Sequence, residues 1–336
     1  MSKRRRPQRP PTFLPIEVRR GSIGAPSVLE LDRFSEANIV QWNDLSKDLD
    51  ELNAVLYVGL EPQRQRHRDE LLEALQVEPP SGVEIPDWVR IVPLRYTNDP
   101  LSAIGSLRGI GGRFNVGSDV DCSVRAPWPA LYLASDQETA YREKFGLPLG
   151  GRKGGLSAEE LALQHDGSHS VIRLAGHLSA VFDLTRPGVL EPICNVLRKM
   201  RLPAEAERLR RRLKIPRTQA RLIRTAAELM RATMDPNWRG APSQFGNPSV
   251  SQILGGLILD AGYEAICYQS TKGAGRCVAV FPHCLVDTSF VEIADTAPPD
   301  THHIRLDPNS AWPLCGWETL PPSLRPPAPR KQKSPR

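Results

Sequence analysis

The sequence predicts an α+β fold in which short strands pair with their sequence neighbours and helices flank the sheet. The clearest signal lies in the last third, where the apolar runs AICYQS and RCVAVF flank the loop TKGAG in the pattern of a β-hairpin. Upstream, the alternating run WVRIVPLRY and the short run ALYLA predict two further strands, and a helix-start pattern follows ALYLA directly. Local hairpins mixed with helices favour α+β over a regularly alternating α/β fold.

Composition narrows the class of protein. The chain has 336 residues, 40% of them hydrophobic and 24% charged, and a mean hydropathy of −0.35, so it can form a folded core. Since no stretch of about 18 uninterrupted apolar residues occurs, we expect no membrane-spanning segment. The six cysteines form no C-x-x-C pair and no apolar signal segment follows Met1, so we expect a cytoplasmic protein.

The net charge of +6 is distributed unevenly. Residues 3–9 and 325–336 carry five Lys or Arg each and no acidic residue, and the remainder has a net charge of −4. Within that remainder, residues 198–224 form a basic stripe with eleven Lys or Arg against two Glu. We therefore expect no nucleic-acid binding except through the tails or this basic stripe, whose other interpretation is a solvated helical face.

Proline, glycine and helical periodicity divide the chain into segments. Residues 1–15 are predicted to be a disordered basic tail, and residues 16–82 an N-terminal helical extension with amphipathic helices over 29–60 and 61–77. The proline-rich run 78–88 ends this extension. The segments predicted after it are a main domain over 83–295 with a basic helical insert at about 187–240, and a C-terminal segment over 296–336 that ends in a second disordered basic tail.

Two helices can be placed by their end signals. After ALYLA, Ser135 or Asp136 is a candidate N-cap and Gly146 a stop, which places Glu143 one to two turns into the helix. The run SVSQILGGLILDAG, residues 249–262, predicts a second helix that ends at its last glycine. Between the two helices the sequence predicts two strands, residues 171–175 and 180–185.

Arginines near glycines and on a strand are the first candidates for chemistry. In the loop GIGGRFN, Gly111 and Gly112 allow close backbone approach and Arg113 carries a guanidinium suited to phosphate. The spacing fits neither a dinucleotide-binding nor a P-loop pattern, and a plain turn is the simpler interpretation. Arg90 and Arg95 lie at odd spacing on one strand-like segment, so only one of them can face a given cleft.

The other candidates also have simpler structural interpretations. Tyr132 is either a core aromatic residue or a platform for a nicotinamide or adenine ring. Glu143 is otherwise a solvated carboxylate on a helix face. Ser249 is otherwise a helix-start residue and Ser270 a hairpin residue. The adjacent residues 302 and 303 are both His but lack a third ligand at metal-binding spacing, so we expect no metal site.

The order of these motifs is more specific than any one of them. The pattern runs R-x-x-P-x-R-Y-x-x-D-P-L-S, GGRFN, LYLA-S-x-x-E-T-A-x-x-E, D-L-T, S-x-x-Q-x-L-G and finally the QST hairpin. Over about residues 85–290, this order and spacing resemble the RES family, named for arginine, glutamate and serine. The resemblance implies a fold similar to ADP-ribosyltransferase toxins, with a mixed or antiparallel β core and flanking helices.

The resemblance also implies a function. It points to the toxin half of a bacterial toxin–antitoxin pair, which degrades NAD by cleaving its nicotinamide–ribose bond with water or phosphate as acceptor. We therefore expect NAD as a substrate, no cofactor, and an Xre-like antitoxin as partner, and the question of a homo-oligomer stays open. The alternatives are a mono-ADP-ribosyltransferase that modifies a protein or nucleic acid, and a nucleic-acid-binding module that uses the basic stripe.

Individual residues acquire expected roles from the resemblance. Glu143 would stabilise the positive charge that develops on the ribose. Arg90, preferred over Arg95, would hold the pyrophosphate together with Arg113. Ser249 is the preferred serine and would orient the ribose or the nicotinamide amide. The residues expected to bind substrate are Tyr132, Tyr96, Arg95, Ser270, Gln252 and Asn115.

The segments outside the pattern receive no single role. The basic insert is compatible with a lid, an antitoxin-docking surface or an RNA-facing stripe. The N-terminal helices are equally compatible with dimerisation, antitoxin contact or packing on the main domain.

Overall fold

The computed structural model describes residues 36–147, 169–216, 222–297 and 299–327. The predicted N-terminal tail and most of the predicted C-terminal tail lie outside these ranges, as do residues 16–35 of the predicted extension. The described strands are β1 (Ser81–Pro93), β2 (Gly111–Gly112), β3 (Asn115–Val116), β4 (Leu131–Ala134), β5 (His169–Asp183), β6 (Ala265–Gln269), β7 (Arg276–Val280), β8 (Phe290–Ile293) and β9 (Arg305–Leu306).

Helices surround these strands and account for the rest of the regular structure. The described α-helices are α1 (Glu36–Val58), α2 (Glu61–Arg66), α3 (Arg68–Leu75), α4 (Gln137–Phe145), α5 (Glu191–Leu197), α6 (Ala204–Arg212), α7 (Ala226–Thr233), α8 (Gly240–Phe245), α9 (Val250–Asp260) and α10 (Ala311–Cys315). The predicted α+β class is confirmed. In the ranges that the structure describes, no helix is long and apolar enough to cross a membrane.

Seven of the strands form one sheet in the order β1-β4-β7-β6-β5-β8-β9. β5 and β6 are parallel, and the other neighbouring pairs are antiparallel. Because β1 also pairs with β5 along most of its length, β1, β4, β7, β6 and β5 form a closed circuit of hydrogen-bonded neighbours. β2 and β3 form a separate hairpin from the glycine-rich loop.

Alternation along the strands divides the core into two layers. Leu131 and Leu133 belong to a cluster enclosed by the strands, together with residues of β1, β5, β6 and β7. Tyr132 and Ala134 lie on the opposite face of β4, against a second cluster that includes α4, α5 and α9. Successive side chains of a strand point to opposite faces, so the polar candidates of β4 meet the helices and not the enclosed cluster.

Two strands differ from their predicted form. The predicted strands 171–175 and 180–185 are one strand, β5, which stays extended through Gly176. A Cβ on Gly176 would lie 2.2 Å from the carbonyl oxygen of Phe290, so a glycine is needed where β8 approaches β5 closely. In β1, Pro86 is accommodated because the pairing register with β5 shifts between Ile85 and Trp88.

The N-terminal helices contact the main domain. Leu71 and Leu75 of α3 are buried in the same cluster as α5 and α9, and the hydroxyl of Tyr263 donates to the carbonyl of Leu75 at 2.7 Å. The predicted helix over residues 61–77 is two helices, α2 and α3, which meet at His67. The helical part of the extension ends at Leu75, and β1 follows from Ser81.

α1 lies against the basic insert. Leu52 packs with Ala206 and Leu209 of α6, and the buried carboxylate of Asp48 forms an ion pair with Arg212. This face of the insert is therefore covered by the N-terminal helix.

Several cations of the basic stripe are used in internal contacts. The guanidinium of Arg224 donates to three backbone carbonyls, one at the end of α5 and two in the turn that follows it. Arg210 pairs with Glu207, and Arg212 pairs with Asp48. The stripe, as far as the structure describes it, is not a uniform free cationic surface.

Candidate functional site

A cavity of about 330 Å³ opens on the face of the sheet that carries Tyr132. Its walls come from β1, the glycine-rich hairpin β2-β3, the strands β4, β6 and β7, helix α4 and the turn that precedes α8. Four of its lining residues are cationic and one is acidic, which gives the lining an excess of positive charge. These charged lining residues are Arg90, Arg113, Lys144, Arg239 and Glu143.

Glu143 is placed on the cavity wall by helix α4. The helix begins because the carboxylate of Asp136 accepts the amide of Thr139 at 2.7 Å, as predicted for an N-cap at this position. It ends at Gly146, whose φ of 70° is left-handed. Both end signals were predicted from the sequence, and together they place Glu143 in the last turn of α4.

Ser270 orients the Glu143 carboxylate. Its Oγ lies 2.6 Å from Oε1 of Glu143 and also accepts the backbone amides of Lys272 and Gly273, at 3.0 and 2.8 Å. With its lone pairs taken by two amides, the hydroxyl has one proton left, which it donates to Glu143. The amide of Thr271 adds a longer contact of 3.3 Å to the same oxygen.

Arg113 connects three segments around the cavity. Its Nη1 donates to the carbonyls of Thr233 and Asp235 at 3.1 and 2.9 Å, and its Nη2 donates to Oγ1 of Thr271 at 3.0 Å. The residue is 5% exposed. The structure thus brings Arg113 to the cavity, as expected, but most of its hydrogen-bonding capacity is used by the protein.

Arg90 also lines the cavity and retains an unused donor. Its Nη2 donates to the carbonyl of Ser102 at 2.8 Å, whereas the buried Nη1 has no hydrogen-bond partner among the described residues. Burial lowers the pKa of the Arg90 guanidinium to about 10, so it is still protonated at neutral pH. A buried cation with a free N–H group is suited to an anionic ligand.

The Tyr132 hydroxyl is used inside the protein. It donates to Oδ1 of Asn115 at 2.9 Å and accepts the amide of Phe114 at 3.0 Å. Burial raises the pKa of the phenol well above its ordinary value. Asn115 is completely buried, and its side-chain nitrogen Nδ2 donates to the carbonyls of Ser106 and Trp128 at 2.7 and 2.9 Å. Asn115 therefore holds the glycine-rich hairpin against β4 and does not line the cavity.

Gln252 has structural contacts that the sequence analysis did not assign to it, whereas Ser249 is the helix-start residue of its simpler interpretation. The side-chain nitrogen Nε2 of Gln252 donates to three backbone carbonyls of the glycine-rich hairpin, at 2.8, 3.1 and 2.9 Å. Ser249 caps α9 in a reciprocal capping box with Gln252. Neither residue lines the cavity. The preference for Ser249 over Ser270 does not match this placement, because the Ser249 hydroxyl is buried in the helix cap and Ser270 is the serine beside Glu143.

Arg95 and Tyr96 also lie outside the lining of the cavity. β1 ends at Pro93, and residues Leu94–Tyr96 form a 3-10 turn in place of the predicted strand. The Arg95 guanidinium lies 5.0 Å from the centroid of the Tyr96 ring, and the Tyr96 hydroxyl accepts from Arg108 at 3.0 Å. Of the two arginines expected on this segment, the structure brings Arg90 to the cavity.

A scan against protein-family models matches the RES domain over residues 87–306. The chain belongs to the RES domain family. No curated protein matches the chain. Among solved structures, the crystal structure of the M. tuberculosis MbcT–MbcA toxin–antitoxin complex aligns with 73% of this chain and 96% of that one, at 14% identity and a TM-score of 0.36.

The cavity of this RES domain contains residues that the sequence analysis missed. Lys144 directly follows Glu143 in the last turn of α4, but neighbouring helix residues do not share a face, so no sequence signal places it on the same wall. Trp238 and Arg239 come from the segment predicted as an insert, where Pro236 and Gly240 mark a turn. Tyr268 of β6 lines the cavity from the predicted hairpin.

The RES domain cavity combines one oriented carboxylate with several cations. Such a site can bind an anionic ligand and stabilise a positive charge that develops beside the carboxylate. Among the described residues, no group of three or more His, Cys, Asp or Glu could hold a metal ion.

Proposed function

We propose that this RES domain protein cleaves the nicotinamide–ribose bond of NAD, with water or phosphate as acceptor. In this proposal it is the toxin of a toxin–antitoxin pair and arrests growth unless an Xre-like antitoxin neutralises it. The proposal includes an ADP-ribosyltransferase-like core, with which the closed circuit of mostly antiparallel strands is compatible. The observation that carries the proposal is the Glu143 carboxylate, oriented by Ser270 in a cavity whose other charged lining residues are cations.

The reaction needs charge stabilisation more than acid catalysis. When the bond between the ribose C1 and the nicotinamide nitrogen breaks, the electron pair stays on the ring, which leaves as neutral nicotinamide. The ribose then carries a positive charge of oxocarbenium type, and a carboxylate such as Glu143 stabilises it. Water adds to C1 and loses a proton to give ADP-ribose. Phosphate adds to the same carbon to give ADP-ribose 1-phosphate.

The remaining lining residues fit the other parts of a dinucleotide. The guanidinium of Arg90, which lines the cavity, and the excess of lining cations suit a diphosphate. Since the hydroxyl of Tyr132 is used by Asn115 and Phe114, the ring is the part of Tyr132 that is left to contact a ligand.

The test is to incubate the purified protein with NAD, with and without phosphate, and to follow free nicotinamide by chromatography. We expect release that falls about a hundred- to a thousand-fold in Glu143→Gln, the usual cost of losing one well-placed electrostatic contact. Glu73→Gln, which changes an exposed glutamate of α3, is the matched control and should release nicotinamide like the wild type. Equal release by wild type and Glu143→Gln would contradict the role of Glu143.

The acceptor can be determined in the same experiment. NAD labelled in its adenosine part should appear as free ADP-ribose without phosphate, and as its 1-phosphate if phosphate is the acceptor. Label retained on protein or nucleic acid would instead indicate a mono-ADP-ribosyltransferase. In cells, expression of the wild type should arrest growth, and expression of Glu143→Gln should not.

A further inference from the structure

The insert reaches the cavity through the short turn between α7 and α8. Trp238 is buried in this turn and Arg239 is exposed, and both line the cavity. The backbone amide of Trp238 donates to the carbonyl of Asp235 at 3.2 Å, and the backbone amide of Asn237 donates to the Asp235 carboxylate at 2.8 Å. The turn is therefore held in shape by its own hydrogen bonds.

Arg113 attaches this turn to the part of the cavity wall that carries Glu143. It binds the carbonyl of Thr233, the last residue of α7, and the carbonyl of Asp235, where the turn begins. Through Thr271 the same guanidinium contacts the hairpin loop whose Ser270 orients Glu143. Arg113 is thus a positioning residue that fixes the insert beside Glu143, and the binding of an anion is left mainly to the other cations.

Arg239 differs from Arg113 because its guanidinium is unoccupied. No described residue forms a hydrogen bond or ion pair with it, and its guanidinium carbon lies 4.8 Å from the centroid of the Trp238 ring. Stacking on an aromatic face orients a guanidinium plane and leaves the N–H groups at its edge free. That edge can donate two parallel hydrogen bonds to phosphate oxygens.

We infer that Arg239 is a substrate-binding residue that holds the diphosphate of the dinucleotide at the cavity, an inference that rests on the proposed NAD-cleaving function. Four lining cations face one lining carboxylate, and the two negative charges of a diphosphate offset most of that excess. The diphosphate keeps its charge while the nicotinamide–ribose bond breaks. Arg239 therefore binds the ground state and the transition state alike.

The test separates binding from catalysis. ADP carries a diphosphate without the nicotinamide ribose, and adenosine carries no phosphate. By calorimetry on the full chain, Arg239→Ala should weaken ADP binding about 10- to 100-fold and leave adenosine binding unchanged. Arg239→Lys should recover part of the loss, since lysine keeps the positive charge but cannot donate two parallel hydrogen bonds. Arg231→Ala, which removes an exposed arginine of the same insert away from the cavity, should bind ADP like the wild type.

Kinetics give an independent measure. In the nicotinamide-release assay, Arg239→Ala should raise KM for NAD about 10- to 100-fold and change kcat by less than about threefold. Equal ADP affinity in wild type and Arg239→Ala, no ADP binding by the wild type, or an equal loss of adenosine affinity would each overturn the assignment. ADP binding that depends on Arg239 in a protein that releases no nicotinamide would retain the anion site and reject the proposed reaction.

Discussion

Two carboxylates of this protein, Glu143 at the cavity and Glu264 in the interior, have opposite surroundings. Glu264, just before β6, is completely buried, and its oxygens accept the amides of Ala180 and Val286 at 2.8 and 2.9 Å and the hydroxyl of Ser289 at 2.7 Å. The amide of Ser179 adds another donor. Glu143 is only partly buried, and its contacts all involve Oε1. Its other oxygen has no such donor in the part of the chain that the structure describes.

The number of carboxylate oxygens that accept hydrogen bonds from the protein therefore separates a structural glutamate from a candidate functional one. A carboxylate whose lone pairs are all used by the protein stabilises the fold and has nothing left for a ligand. The same distinction divides the other candidates. Ser249, Gln252 and Asn115 are buried and bonded to the backbone, whereas Arg90 and Arg239 keep unused donors at the cavity.

The largest expected effect is on turnover. Glu143→Gln should lower nicotinamide release about a hundred- to a thousand-fold, which is about 3 to 4 kcal/mol of transition-state stabilisation. Its free energy of unfolding, measured with urea, should differ from that of the wild type by no more than about 0.5 kcal/mol, as for a surface substitution. A Glu143→Gln protein that unfolds much more readily than the wild type would assign Glu143 to the structural group instead.

Glu264→Gln should lower the stability of the fold and leave turnover unchanged, the reverse of the Glu143→Gln result. The amide group would direct N–H donors at groups that are themselves donors, so we expect a loss of about 2 to 3 kcal/mol in the free energy of unfolding, measured with urea. Nicotinamide release per folded molecule should be unchanged. Glu292→Gln, which alters a partly exposed glutamate paired with Arg305, is the control and should unfold nearly as the wild type does. A stable Glu264→Gln would mean that the buried carboxylate contributes little to the fold.

Local signals predicted much of the fold. The N-cap at Asp136 and the stop at Gly146 define α4, and the hairpin of β6 and β7 follows from two apolar runs around a glycine loop. These elements depend on residues close in sequence, which is why sequence patterns find them. The continuity of β5 could not be predicted in this way, because its middle is extended through pairing with β1 and β8, which are distant in sequence.

The candidate site shows the same limit. Arg90, Arg113, Tyr132 and Glu143 all reach the cavity, as the pattern implied. Ser249 was preferred over Ser270, although its place at a helix start is a local signal. The contact of Ser270 with Glu143 joins residues 127 positions apart, so a local pattern could not predict it. Arg239 was missed since its segment was classed as an insert, and tertiary contacts such as those of Arg113 hold that turn at the cavity.

The two serines provide a smaller test of the comparison. Ser270→Ala removes the donor to Glu143 and should lower nicotinamide release about tenfold. Ser249→Ala removes the α9 cap and should cost about 1 kcal/mol in the free energy of unfolding, with release changed by less than about twofold. Loss of release in Ser249→Ala with normal stability would restore Ser249 as the functional serine.

The smallest expected effect is a pH dependence due to Lys144. Burial lowers the pKa of its ammonium, with further lowering by Arg90 and Arg95, so Lys144 loses its proton below the ordinary lysine value of about 10.4. Since the protonated form attracts a diphosphate, KM for NAD should rise a few-fold as the pH increases through this range. Arg90, with a pKa of about 10, titrates in the same pH range. Its effect on KM is therefore the same in every variant that retains Arg90.

Lys144→Arg isolates the contribution of Lys144, because arginine keeps its charge throughout this range. Its KM profile should be flatter than that of the wild type at alkaline pH, and the two profiles should agree at neutral pH. Lys47→Arg, on the exposed face of α1, should follow the wild-type profile. If the Lys144→Arg profile rises in parallel with the wild type, the alkaline loss belongs to Arg90, and Lys144 is a solvated charge at the rim of the cavity.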